Sequence, residues 1–172
     1  MKTFFKILAA IIAVLVLVML LVGKEYHFVT STVINAPAEK VWQNMHSMKA
    51  FNQWNPFMEL DPNIKVNYSG TSGNVGEQYC WEGNSEAGKG CHVITGMISN
   101  RKLSTKMLFK EPFESNATSD LILKPEGNTT KVTWTMDTEL SYPMNLMSLF
   151  MDGEMEKSFG SGLRKLKTLS EK

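Results

Sequence analysis

Cysteine and histidine are scarce in this chain, and neither sign of charge dominates. Two cysteines and three histidines occur in 172 residues. Two thiols alone fall short of a structural zinc set, so no metal is expected, and no cofactor either. Eighteen basic residues stand against 17 acidic ones. The first 23 residues contain Lys2 and Lys6 and no acid, which leaves 16 basic and 17 acidic residues in the remainder. That remainder has no basic stripe, which argues against nucleic acid as a partner. A Gly-x-Ser-x-Gly elbow is missing, so the sequence carries no hydrolase nucleophile motif. The stretch Gly70 to Gly76 is rich in glycine but lacks the lysine and following helix of a phosphate loop.

The long apolar run is at the front. Ile7 to Val22 is unbroken, and Phe4 and Phe5 extend it, interrupted only by Lys6. A helix of roughly 20 apolar residues spans the hydrocarbon core of a bilayer, and Lys6 can snorkel to the headgroups. A cleaved signal peptide is the rival reading. Those have shorter apolar cores and a small-x-small cleavage site, whereas Leu21 and Val22 precede Gly23 here. The expectation is an uncleaved anchor, residues 1–23, contacting the membrane through residues 4–22, with one domain over residues 24–172. Lys2, Lys6 and the amino terminus outweigh the nearly cancelling Lys24 and Glu25, so the positive-inside rule expects a cytoplasmic N-terminus and the domain outside.

Beyond the anchor, the pattern begins and ends differently from its middle. Tyr26 to Ile34 is rich in β-branched residues and reads as a strand. Pro37 then suits the first turn of a helix over Ala38 to Met45, with a further turn over Met48 to Trp54 before Asn55-Pro56. Short strands follow: Ile64 to Tyr68, Val75 to Glu82, Gly90 to Ser99, Lys102 to Phe109, Ser115 to Leu123 and Thr130 to Glu139. Their spacing and hairpin turns predict an antiparallel sheet. Asp152 is placed to cap a last helix over Glu154 to Ser170, whose apolar stripe is Met155, Phe159, Leu163, Leu166 and Leu169. Asp152-Gly153 reads as a kink or break. Met144, Met147, Met151 and Met155 recur at helical spacing, either as packing or as an adaptable pocket mouth.

The turn from Gly83 to Lys89 suggests a register in which Glu82 faces Lys89, Cys80 faces Cys91 and Tyr79 faces His92. An exposed Glu82–Lys89 pair puts the cysteines on the outer face. Tyr79, Trp81, His92 and Ile94 then point inward, because side chains alternate along a strand. Opposed cysteines on neighbouring strands are open to two readings, a disulfide or a pair of free thiols. Trp134 and Phe109 supply apolar wall or ordinary core. His92 is the one weak catalytic candidate, with Tyr79 beside it and Asp137 and Glu139 as distant alternatives.

The element order, with Val33-Ile34-Asn35-Ala36-Pro37-Ala38-Glu39-Lys40-Val41-Trp42, the turn Trp54-Asn55-Pro56-Phe57, the hairpin residues Gly76, Tyr79, Trp81, Gly83, Asn84 and Gly88, and the ending Gly162-Leu163 with Leu166-Lys167, resembles the START-like or helix-grip (SRPBCC) superfamily, and within it the polyketide cyclase/dehydrase family. The resemblance covers roughly residues 26 to 170. It implies an α+β fold in which a curved antiparallel sheet grips a long C-terminal helix around a cavity for apolar ligands. On that footing the expected ligand-contacting set is Trp54, Tyr79, Trp81, His92, Ile94, Phe109 and Trp134. The leading expectation is a membrane-anchored domain that binds an apolar small molecule or lipid. A cyclase, dehydratase or hydrolase using the same cavity is the second reading, and a protein-interaction or chaperone-like module the third.

Overall fold

The computed structural model describes residues 2–172. Helix α1 (Lys2–Leu21) is long and apolar enough to cross a membrane and buries none of its side chains in the rest of the chain. At a rise of about 1.5 Å per residue it is about 30 Å long. After three intervening residues the chain enters β1 (Glu25–Ile34).

Two short helices, α2 (Ala38–Gln43) and α3 (Met48–Phe51), follow, with a 3₁₀ turn at Pro56–Glu59. Ser47 caps α3 by accepting from the Ala50 backbone N–H. Six further strands come next: β2 (Lys65–Ser69), β3 (Gln78–Glu82), β4 (Lys89–Ile98), β5 (Lys102–Glu111), β6 (Ser115–Glu126) and β7 (Thr129–Glu139). A second 3₁₀ turn, Met144–Met147, leads into α4 (Ser148–Ser170). The strands form one seven-stranded antiparallel sheet in the order β1-β7-β6-β5-β4-β3-β2.

Helix α4 lies along the sheet and is tied to β1 at intervals. Tyr26 donates to Asp152 at 2.8 Å, Thr30 donates to Glu156 at 3.2 Å, and Lys167 donates to the Val33 carbonyl at 2.6 Å. Phe159, Leu163 and Leu166 are its buried stripe. The Trp134 and Phe159 rings lie 4.1 Å apart between centroids. A glycine at 162 permits this approach. A Cβ there would come within 2.9 Å of the Trp134 ring and 3.0 Å of Pro56.

Three local expectations are corrected. Helix α4 begins at Ser148 and runs through Asp152-Gly153 without a break. Asp152 is therefore not its cap; its carboxylate is taken by the Tyr26 hydroxyl. Strand β3 begins at Gln78 instead of Val75, because Gly76 adopts a φ of +90°, a region that only glycine enters freely. The pairing nevertheless continues irregularly there, through Gly76 N–H to the Ile94 carbonyl and Ile94 N–H to the Glu77 carbonyl.

Candidate ligand cavity

Between the concave face of the sheet and α4 lies a cavity of about 350 Å³, at the small end of the range for ligand pockets. Strand register orients it. Glu25 lies opposite Glu139, Phe109 opposite Ser115, and Ala117 opposite Thr138. The start of β1, the end of β7, the β5–β6 turn and the β3–β4 turn therefore all lie at one end of the sheet. Residues from that end, including Ala87, Ser115, Leu140 and Met151, line the outer part of the cavity, with Leu60 and Ile64 beside them. Tyr79, His92, Ser119 and Trp134 lie further along their strands and line the inner part, with Phe51 and Phe159 from the helices.

One polar chain enters this apolar space, and its direction can be worked out. The Phe57 backbone N–H donates to Asn55 Oδ1 at 3.2 Å, which fixes the orientation of the Asn55 amide. Asn55 Nδ2 then donates to Asn52 Oδ1 at 2.9 Å and to the Tyr79 hydroxyl at 3.1 Å. The Tyr79 oxygen has accepted, so its own hydrogen is free for His92 Nδ1, 3.4 Å away. That arrangement leaves Nδ1 as acceptor and puts the imidazole proton on Nε2. His92 Nε2 is buried and has no hydrogen-bond partner. The imidazole lines the cavity, but its Nε2–H is shut off from it and unpartnered, a state that costs free energy unless a small shift of the ring lets a guest's acceptor reach it.

Burial dictates the charge states. With no counter-ion beside it, His92 has its pKa pushed down to about 3 by desolvation. Burial also raises the Tyr79 hydroxyl above its ordinary range. At neutral pH both groups are uncharged, and the imidazole is a hydrogen-bond donor with little tendency to take up a proton. The distant alternatives do not reach it. Asp137 lies on the exposed outer face of β7, 2.6 Å from His27 Nδ1, and Glu139 is exposed at the end of β7.

The residues singled out from sequence divide cleanly. Tyr79, Trp81, His92, Phe109 and Trp134 are brought together around the cavity. Trp54 and Ile94 are not: both are fully buried in the core, and Trp54 spends its indole N–H on the Asn44 carbonyl at 2.8 Å. Met151 and Met155 line the cavity, while Met144 and Met147 sit on the preceding 3₁₀ turn. On the outer face Cys80 lies opposite Cys91 with Cα atoms 4.0 Å apart, and their sulfurs are bonded. Glu82 and Lys89 pair beside them at 3.1 Å. Among the described residues no group of three or more His, Cys, Asp or Glu side chains is arranged to hold a metal ion. Sequence reasoning missed Asn55 and Asn52. The signal available was an asparagine directly before Pro56, a residue suited to capping a turn with its side chain.

The family model described as polyketide cyclase / dehydrase and lipid transport matches residues 25–171, nearly all of the chain beyond the apolar helix. The chain belongs to this family. Solved structures share its fold. Protein CV1439 from Chromobacterium violaceum superposes with a TM-score of 0.63 at 12% identity, over 86% of this chain and 98% of that one. A protein from Nitrosospira multiformis gives 0.61 at 22% identity, over 83% and 94%. Ara h 8.0201 gives 0.61 at 12% identity, over 85% and 97%. No curated protein matches the sequence. A family member of this kind is consistent with binding of a hydrophobic ligand, and its architecture of a curved sheet around a C-terminal helix is the one seen here.

Proposed function

We propose that this protein binds a small apolar molecule bearing one acceptor oxygen, such as a ketone, ester or lipid carbonyl, and does so while anchored in a membrane by α1. The observation that carries the reading is the buried, unpartnered Nε2–H of His92, whose ring lines a mostly apolar cavity. A carbonyl oxygen placed there completes the chain that begins at the Phe57 backbone. A cation gains nothing from a donor, and a pure hydrocarbon leaves the donor unsatisfied. The neutral imidazole favours binding over proton transfer, since an efficient general acid or base has a pKa near the working pH.

The anchor reading has its own support. Asn145 is fully buried and donates from Nδ2 to the Met19 and Val22 carbonyls, at 2.8 and 2.9 Å. Carbonyls at the end of a helix lack partners inside it. A side chain of the folded domain that hydrogen-bonds the end of α1 supports a helix that stays with the domain. Residues 1–23 and 24–172 then act as anchor and binding domain, with the domain on the outer side of the membrane by the charge bias of the N-terminus.

The test is copurification. Organic extracts of the full-length protein and of an Ala117→Phe variant, which fills the cavity from β6, are compared by mass spectrometry. An oxygen-bearing apolar compound present with the wild type and lost from a folded variant is the expected result. Identical extracts from the two would overturn the reading.

A further inference from the structure

The end of the domain at which the cavity opens is also the end from which the membrane helix leaves. Leu21 closes α1, and Glu25 begins β1 at the same sheet end as the β5–β6 turn and the end of β7. Helix α4 starts there too, because its first turns contact the beginning of β1 through Tyr26 and its last turn reaches Val33. The Asn145 hydrogen bonds to Met19 and Val22 hold the turn before α4 directly against the end of α1.

This end carries large apolar side chains that the described residues leave uncovered. Phe150 is 81% exposed, Phe113 63%, Leu149 55% and Met147 50%. Phe113 comes from the β5–β6 turn; the other three come from the 3₁₀ turn and the first turn of α4. Met151, their neighbour in sequence, lines the cavity. An apolar rim at a cavity mouth, beside a turn hydrogen-bonded to the end of a membrane helix, has an evident occupant.

We propose that the rim bearing Phe113, Leu149 and Phe150 is seated in the leaflet from which α1 emerges, so that the cavity exchanges its ligand with the bilayer interface and not through water. This rests on the anchor reading above. The contact is apolar in character. Glu25, Glu82, Glu86, Glu111, Glu114 and Glu139 outnumber Lys24, Lys65, Lys89 and Lys110 at this end, so attraction to anionic headgroups does not drive it.

Full-length protein in phosphatidylcholine nanodiscs gives the test. Single cysteines are introduced for spin labelling by Phe113→Cys, Phe150→Cys, Leu15→Cys within α1 and Val75→Cys, an exposed apolar position at the opposite end of the sheet. The native cysteines are bonded to each other and do not react. Collision with oxygen against a nickel chelate reports depth. The labels at Phe113 and Phe150 are expected about 5–10 Å into the headgroup–acyl boundary, as for interfacial apolar faces. Their depth is expected to be unchanged at about 1 M salt, where the Debye length is only about 3 Å. Leu15 in the hydrocarbon with Phe113 and Phe150 as wet as Val75 would overturn the seating and leave the anchor intact. Leu15 in water would remove the anchor, and the seating with it.

Discussion

Replacing His92 by leucine separates a group kept for binding from one kept for stability. In the ligand-free protein, His92 contributes a weak contact to Tyr79 at 3.4 Å and an orphaned buried N–H. Leaving such a donor unsatisfied costs about 1–3 kcal/mol. Leucine removes that cost, but it strands the buried Tyr79 hydrogen, at a similar cost of about 1–3 kcal/mol. The two nearly offset, so stability at pH 8 is expected to change by no more than about 2 kcal/mol, or about 8 °C in Tm for a chain of this size. The effect of pH follows from the shift of the imidazole down to about 3 in the folded state. The unfolded chain, with an ordinary pKa near 6.5, binds the proton first as pH falls, so His92 subtracts about 1.4 kcal/mol of stability per pH unit between about 6.5 and 3. Above about 6.5 its titration subtracts nothing. Urea melts of wild type and His92→Leu from pH 8 to pH 4 are expected to diverge below 6.5, with the variant the more stable. Binding of a carbonyl-bearing probe should weaken about 2–12-fold, the worth of one hydrogen bond. A loss of more than about 2 kcal/mol in the variant at pH 8 would show that the imidazole is a packing residue, and the reasoning would fail.

Asn55→Leu breaks the polar chain at its source; it should cost about 1–3 kcal/mol through the stranded Tyr79 and Asn52 groups, read by thermal unfolding, and weaken the same probe by freeing the His92 tautomer. Gly162→Ala crowds Trp134 and Pro56 and should destabilise by about 1–3 kcal/mol, the usual cost of overpacking, with Trp134 fluorescence altered in the folded state. Cys80→Ser with Cys91→Ser opens a loop of 11 residues and should lower stability by up to about 3 kcal/mol on chain-entropy grounds; probe affinity should stay unchanged, since the bridge is on the outer face, and calorimetry reads both.

The parts of this structure that obey a local period were legible before the fold was known. The β3–β4 register follows from the Gly83–Lys89 turn and the Glu82–Lys89 pair, and two-residue alternation then assigns Tyr79, Trp81 and His92 to one face and Cys80 and Cys91 to the other. Alternation cannot say how far along the strand the cavity extends. Ile94 shares the face of His92 but lies two residues further from the mouth, in the closed core, where a register shift between Ile94 and Gly96 ends the regular pairing. Trp54 fails for a related reason: aromatic character marks burial, not which layer of a core is reached. The start of α4 was misplaced because a Gly after an Asp reads locally as a stop, while Tyr26, 126 residues away, supplies the contact that carries the helix through. Asn145 gave no local sign at all, since its partners at Met19 and Val22 are equally remote.

The central claim is that His92 offers a neutral Nε2–H to a ligand oxygen inside an apolar cavity. Nitrogen NMR of the ¹⁵N-labelled imidazole tests it directly. The account predicts an Nε2-protonated, uncharged ring at pH 7 and down to about pH 5, whose Nε2 resonance moves when a medium-chain methyl ketone is added and stays still with the matching alkane. A ring that is cationic at pH 7, or that responds to neither compound, would contradict it.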